Sequence, residues 1–423
     1  MRSGEHLIDL GRAHGQGETM SSQPPSKRSI RPHLSRRAVL TGSCLGLLTA
    51  AGATLWGDPP SAATVSDPAV GATPEDRLLR PWGRLPTTAR IGTGITVGPT
   101  GEIALLHRAG TAFAYDAVID TDTVVVLNPR DGTVRRTWGA GRFRSPHSIT
   151  ADSEGRYWVT DVSTNKITTF DVAGRQVGDL GHDYPNELET CLRVRNVLSN
   201  LPCTLDEYIF ARPTDVAVSA DGSIVVTDGY RNSRVARFDT HRVLTRQWGE
   251  LGDQPAQFNI PHGVALDSNG AVYVADRRNA RVQVFNADGS VRHVWHSSAL
   301  GRPYDVAIGP DDAVYVLDGG DLLDENNGEQ RGYVCRLSTT GQVTHRWALA
   351  DQRANPHQLA IGVRGEIYVA ALAGAPLWRW APSEQSRDGS RGLRSRRVAG
   401  GGLRIPIREP THANTTRSGI RRR

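Results

Sequence analysis

Pro146-His147-Ser148-Ile149-Thr150-Ala151, Pro261-His262-Gly263-Val264-Ala265-Leu266 and Pro356-His357-Gln358-Leu359-Ala360-Ile361 are three copies of one short pattern. In each, a Pro-His pair opens an apolar, alternating run, so the histidine sits where a β-strand begins. Two sister segments, Pro213-Thr214-Asp215-Val216 and Pro303-Tyr304-Asp305-Val306, keep the proline and lack the histidine. In chain order the residue after proline therefore reads His, Thr, His, Tyr, His.

A longer unit repeats around each copy: a strand, a Gly turn, a second strand ending in Asp, a third strand, another Gly turn, and a fourth strand ending near Trp-Gly. Good copies run Pro146 to Gly181, Pro213 to Gly249, Pro261 to Trp295 and Pro303 to Trp347. The shortest proline-to-proline interval, from 261 to 303, is 42 residues, the length of one four-stranded propeller blade. Longer intervals hold insertions: Gly181 to Phe210, and the acidic stretch Asp318 to Gln330. A less regular first blade spans Ile91 to Gly139, with strands at Glu102–His107 and Asp122–Leu127. The sixth runs from Pro356 to Trp380 and stops after three strands. Leu78-Leu79-Arg80-Pro81-Trp82-Gly83 resembles the ends of other blades, and the expectation is that it supplies the missing strand and removes the open sheet edge. The expected fold class is all-β, a six-bladed β-propeller closed by an N-terminal strand.

Composition fits this reading. The 423 residues are 38% hydrophobic and 22% charged, ordinary for a globular chain. The formal net charge of +6 is unevenly placed: residues 383–423 carry eleven arginines against three acids, and residues 1–63 carry seven basic against four acidic residues. The middle is left mildly acidic, so no nucleic-acid footprint is indicated. Ser35-Arg36-Arg37-Ala38-Val39-Leu40, an apolar stretch to Trp56 and small residues at Ser61-Ala62-Ala63 have the layout of a twin-arginine export signal. A chance arginine pair before a buried helix, or an uncleaved anchor, would look similar. Cys44 has too short an apolar run before it for lipidation, and Met20 is an alternative start. The expected domains are residues 1–63 as signal, 64–382 as propeller and 383–423 as a disordered basic tail. Export would place the mature chain in the periplasm or outside the cell, where disulfides persist. Cys191 and Cys203, both in the first insertion, are expected to staple it; Cys335 is left over as a buried small hydrophobe.

First strands line the channel of a propeller, so Pro-His in blades two, four and six would set three imidazoles about the axis. Three neutral nitrogens around an open axial position suit a catalytic zinc site. A lone histidine there would more often be a satisfied rim residue; strict alternation reverses that balance. Tyr230, Arg277 and Arg108 follow second strands and gain meaning from this centre. Asp161, Asp228, Asp276 and Asp318 recur in every such strand and read as turn-forming acids.

The repeats resemble the NHL family, and within it the chain is similar to the peptidyl-α-hydroxyglycine α-amidating lyases over roughly residues 91–380. The resemblance rests on His107-Arg108, Pro146-His147-Ser148, Pro213-Thr214-Asp215, Asp228-Gly229-Tyr230, Pro261-His262 and Ala275-Asp276-Arg277. It implies a zinc ion held by His147, His262 and His357, with Tyr230 as base and Arg108 and Arg277 around the substrate. Tyr230 is expected to have its pKa lowered by the metal and the arginines. The implied reaction cleaves a small peptide or other carbinolamide to an amide and glyoxylate, in a protein expected to be a monomer without a stable membrane domain unless the signal is retained. Six positions depart from the family. Gln358 stands where an acidic residue supplies a structural calcium, Asn355 replaces a methionine, and two paired cysteine positions are filled by Ala211 with Arg231 and Tyr273 with Val284. A non-catalytic NHL propeller binding a protein or glycan is the competing reading. A lactonase-like propeller would instead use an acidic calcium cluster on the axis, and the Pro-His positions carry no acids.

Overall fold

The computed structural model describes residues 63–64, 75–183, 186–195, 201, 203, 207–319 and 332–383, all within the compact unit Asp58–Arg423. The expected export signal up to residue 62, the basic tail after Ser383 and most of the acidic Asp318–Gln330 stretch lie outside the described residues. Among the described residues no helix is long and apolar enough to cross a membrane.

Two short strands come first, β1 (Ala63–Thr64) and β2 (Leu78–Pro81). Antiparallel meanders then follow one another along the chain. The first is β3 (Gly92–Val97), β4 (Ile103–His107), β5 (Val124–Leu127) and β6 (Val134–Trp138). The second is β7 (Pro146–Ala151), β8 (Tyr157–Asp161), β9 (Lys166–Phe170) and β10 (Gln176–Leu180). The third is β11 (Asp215–Val218), β12 (Ile224–Asp228), β13 (Arg234–Phe238) and β14 (Leu244–Trp248). Next come β15 (Pro261–Leu266), β16 (Val272–Asp276), β17 (Arg281–Phe285) and β18 (Val291–His296), with β1 added in parallel along β18. Finally β19 (Pro303–Ile308), β20 (Val314–Asp318), β21 (Tyr333–Leu337) and β22 (Val343–Leu349) share one eight-stranded sheet with β23 (Pro356–Ile361), β24 (Ile367–Ala371) and β25 (Leu377–Trp380), joined through β2. The architecture is all-β and propeller-like.

First strands lie side by side: β3 on β7, β7 on β11, β11 on β15, β15 on β19, β19 on β23, and β23 back on β3. The N-terminal segment does complete the three-stranded last meander, pairing Arg80 with Arg379 and Pro81 with Trp378. It also does something the sequence did not suggest: Leu78 and Leu79 pair in parallel with Ala348 and Leu349 of β22. Leu79, fully buried, packs with Trp347, Leu349 and Trp378, so one strand joins two meanders into one sheet.

The Trp and Gly repeats have one physical cause. Trp138 packs onto Gly174, Trp248 onto Gly289 and Trp295 onto Gly341, each glycine lying in the turn before a fourth strand of the following meander. A Cβ on Gly174 would lie 2.4 Å from the Trp138 ring, and all three glycines have positive φ, so the turn needs glycine twice over. Each tryptophan buries on the order of 150–250 Å² between sheets.

The insertion after β10 holds the one α-helix among the described residues, α1 (Asn186–Arg195). The sequence reading treated this segment only as a disulfide loop. Its acids sit in the first turn and its arginines in the last, complementing the helix dipole, and Leu192 is buried. Cys191 and Cys203 are bonded as expected. Cys335 is free and buried, its thiol pushed up to about 11 by burial.

Candidate metal centre

Each Pro-His pair forms a β-bulge. Pro146 pairs with Asp161 and Ser148 with Thr160, leaving His147 unpaired between them. The same shift occurs at His262, His357, Tyr304 and Thr93. A bulge re-aims the side chain it carries, and here it turns one residue out of the ladder in each of these five first strands.

The bulged histidines meet. Their metal-binding atoms lie within 4.8 Å of one another, and all three residues are buried. His147 Nδ1 is 2.6 Å from the Thr214 carbonyl, His262 Nδ1 2.7 Å from that of Tyr304, and His357 Nδ1 2.6 Å from that of Thr93. A carbonyl only accepts, so Nδ1 carries the proton and Nε2 keeps its lone pair. Each histidine thus leans on the ring residue of the next meander, and the intervening Thr and Tyr positions act through their backbones. Burial holds all three rings neutral, pushing His147 and His262 well below the usual range and His357 down to about 3. His147 Nε2 and His357 Nε2 are 3.1 Å apart. Three neutral, oriented lone pairs converging in this way fit a metal ion, and the carbonyls that accept from each Nδ1 are those expected behind metal-ligating histidines.

A second ring sits above. The N–H groups of Arg108, Tyr230 and Arg277 donate to the carbonyls of Ile91, Arg212 and Ile260, each just before a first strand. The three side chains therefore occupy equivalent places, as the sequence suggested for Tyr230 and Arg277. Tyr230 Oη is 3.0 Å from His147 Nε2 and 3.1 Å from His262 Nε2. The Arg277 guanidinium lies 3.7 Å from the Tyr304 ring centre, hydrogen-bonds the Tyr304 hydroxyl, and bonds the Tyr230 phenol. Arg108 is buried beneath Phe113, 5.4 Å from its ring centre. Among the protein's own groups, burial raises the Tyr230 pKa, and the charges of Arg277, Arg108 and Arg212 pull it down.

Asp161, Asp228, Asp276 and Asp318 are structural, accepting from Arg144, Ala211, Asn259 and Arg302 N–H ahead of the first strands. Gln358 does not fit calcium. Its Oε1 accepts from Ile95 N–H at 2.9 Å and Ile149 N–H at 3.3 Å, and its amide donates to Asp215 at 3.2 Å, so both carbonyl lone pairs are engaged. Ala211 and Arg231 are joined by a main-chain hydrogen bond of 3.0 Å, and Tyr273 faces Val284 across two strands. Both replaced pairs are thus true neighbours.

Sequence reasoning missed Phe113 and Arg212. Phe113 is 43% exposed yet lies 5.0 Å from the Tyr230 ring, with the Arg212 guanidinium 6.0 Å from the Phe113 ring centre. Neither belongs to a repeat-conforming position with a chemical signature. A polar cavity of about 620 Å³ reaches Arg212 and Glu189 from beside β8 and β9.

The fold and site define a propeller-like all-β protein with three buried histidines that could hold a metal ion beneath a tyrosine. Known proteins narrow this. The NHL repeat model matches residues 210–238 and 258–285. A Caenorhabditis elegans protein named "probable peptidyl-alpha-hydroxyglycine alpha-amidating lyase" is 32% identical, over 66% of this chain and 79% of that protein. The chain belongs to the peptidyl-α-hydroxyglycine α-amidating lyase family. Peptidyl-glycine alpha-amidating monooxygenase B of Xenopus laevis is 29% identical over 69% of this chain, which spans only 34% of that longer protein. A streptogramin B lyase structure shares the fold at 14% identity, TM-score 0.50, covering 71% of this chain and 96% of that one.

Proposed function

We propose that the chain is a six-bladed, zinc-dependent lyase that splits a peptidyl-α-hydroxyglycine or similar carbinolamide into a C-terminal amide and glyoxylate. The closed order of first strands supports the blade count, with the eight-stranded sheet read as two blades sharing β2. The observation that carries the chemistry is the convergence of three neutral Nε2 atoms under the Tyr230 phenol. His147, His262 and His357 would hold the ion, which when bound supplies Lewis-acid polarisation. Tyr230 takes the hydroxyl proton of R-CO-NH-CH(OH)-COO⁻, the C–N bond breaks with its electron pair going to nitrogen, and Tyr230 returns the proton there. The products are R-CO-NH₂ and OHC-COO⁻, with no water or oxidant consumed. Arg108 and Arg277 grip the carboxylate and favour the ionised phenol.

Residues 64–382 would be the catalytic unit, exported by the twin-arginine signal and acting as a monomer on small peptides. The Cys191–Cys203 bond supports an oxidising destination.

The test is zinc content together with glyoxylate release from a model α-hydroxyglycine peptide. About one zinc per chain with glyoxylate formation is expected. Zinc without glyoxylate would favour a binding propeller with a structural metal, and absence of zinc would overturn the reading.

A further inference from the structure

We propose that helix α1 is a clamp that positions the Tyr230 loop, with Glu189 and Arg195 as its positioning residues; this rests on the lyase reading for its catalytic consequence. Glu189, near the start of the helix, holds the Arg212 guanidinium at 3.0 Å and that of Arg231 at 3.7 Å. Arg195, its last residue, donates to the Arg231 carbonyl at 2.7 Å and to the Asn232 side chain. These contacts fall on both sides of Tyr230. Arg212 is also the residue whose carbonyl receives the Tyr230 N–H, at 3.4 Å.

Arg212 adopts φ of +62° without being glycine, as do Ile91 and Ile260 at the matching places of their meanders, so the turn belongs to the repeat and the helix acts on the Arg212 side chain. Asn165 accepts its N–H at 2.8 Å, and Glu189 fixes its side chain beside Phe113, which rests on Tyr230. Asn232 in turn bonds Asp228 at 2.6 Å, and Asp228 bonds the N–H of Ala211. One network therefore ties the helix to both loops that frame the phenol. The helix itself is anchored by buried Leu192 and by the Cys191–Cys203 bond in its middle. An isolated helix of ten residues is marginal in water, so the staple and the clamp depend on each other.

The experiment compares wild type, Glu189→Gln, Arg195→Met, Arg195→Lys and the double variant Cys191→Ser/Cys203→Ser. Hydrogen exchange of the 228–234 peptide, zinc content, and kcat and KM on the model hydroxyglycine peptide are measured for each. Exchange in 228–234 should rise in Glu189→Gln, Arg195→Met and the double variant, with the β-strands and zinc content unchanged. In those variants kcat should fall about ten- to a hundredfold, the scale of a 1 Å misplacement, while KM stays within about twofold; Arg195→Lys should restore most of kcat. Unchanged exchange in all variants overturns the clamp, and increased exchange with unchanged kcat overturns its positioning role. If wild type releases no glyoxylate, the lyase reading fails separately, and the exchange result alone decides whether the clamp exists.

Discussion

Two adjacent rings in the central channel differ by one residue in each strand and behave in opposite ways. The ring after the proline carries His147, His262 and His357; the next position carries Asp215, Asp305 and Gln358. All six are buried, and burial drives both sets toward neutrality, lowering the histidines and raising the acids. The histidines keep lone pairs aimed at one point. The lower groups are turned to the backbone: Asp215 accepts from Val264 N–H at 3.0 Å and Asp305 from Leu359 N–H at 2.8 Å, while Gln358 links Asp215 to Ile95 and Ile149. Reactivity here comes from what burial leaves unsatisfied, and cohesion from what it satisfies.

The largest predicted effect breaks the upper ring. His262→Ala leaves two nitrogens and removes one of the partners of Tyr230, so zinc measured by metal analysis should fall to background and glyoxylate release with it, while the circular dichroism of the sheets persists. Removing the metal with a chelator should reproduce the loss in wild type, and added zinc should reverse it only there. Next in size is Tyr230→Phe, which keeps all three ligands. Zinc should stay at wild-type stoichiometry and kcat should drop about 10²–10⁴-fold, the usual contribution of a single acid–base group. Equal loss of zinc in both variants would erase the distinction between ligand and base.

The upper ring was legible because repetition made it so. Five prolines in register placed His147, Thr214, His262, Tyr304 and His357 on equivalent strands, and a missing fourth strand pointed to Leu78–Gly83. What could not be read was set by backbone geometry. The bulges that turn the histidines inward, and the carbonyls of Thr93, Thr214 and Tyr304 that fix their tautomers, leave no side-chain signature; Thr93 even follows a glycine in place of the proline. Helix α1 escaped because an insertion lies outside the repeat, and the burial that opposes ionisation of Tyr230 escaped because charges are visible in a sequence and burial is not.

The lower ring predicts an unusual pH response. Burial raises the Asp215 carboxyl to about 7, against its usual value near 4, and Asp305 is pushed up by burial and then by the charge of Asp215. A carboxyl whose folded pKa is raised binds its proton more tightly in the native state, so its stabilisation is complete below about pH 4 and is lost as pH rises toward about 7. Melting temperature should therefore decline across that window, after allowance for other groups. Asp215→Asn, which is neutral throughout, should flatten the decline. A slope unchanged in this variant would mean that the lower ring is ionised and balanced by something else, and the contrast between the rings would fail.

Gln358→Leu should leave metal binding and chemistry least changed, and it sharpens the contrast most finely. Leucine fills similar space but accepts nothing, so the N–H groups of Ile95 and Ile149 lose a buried partner and Asp215 loses a donor. Each orphaned buried group costs about 1–3 kcal/mol, and the melting temperature should fall accordingly. His357 is the neighbouring residue, but its Nδ1 is held by Thr93 rather than by Gln358, so zinc stoichiometry should be retained. Loss of stability without loss of metal would show that adjacent residues on one strand serve separable ends. Loss of zinc together with stability would mean that the Gln358 amide, by tying β23 to β3 and β7, is what keeps His357 aimed at the other two histidines.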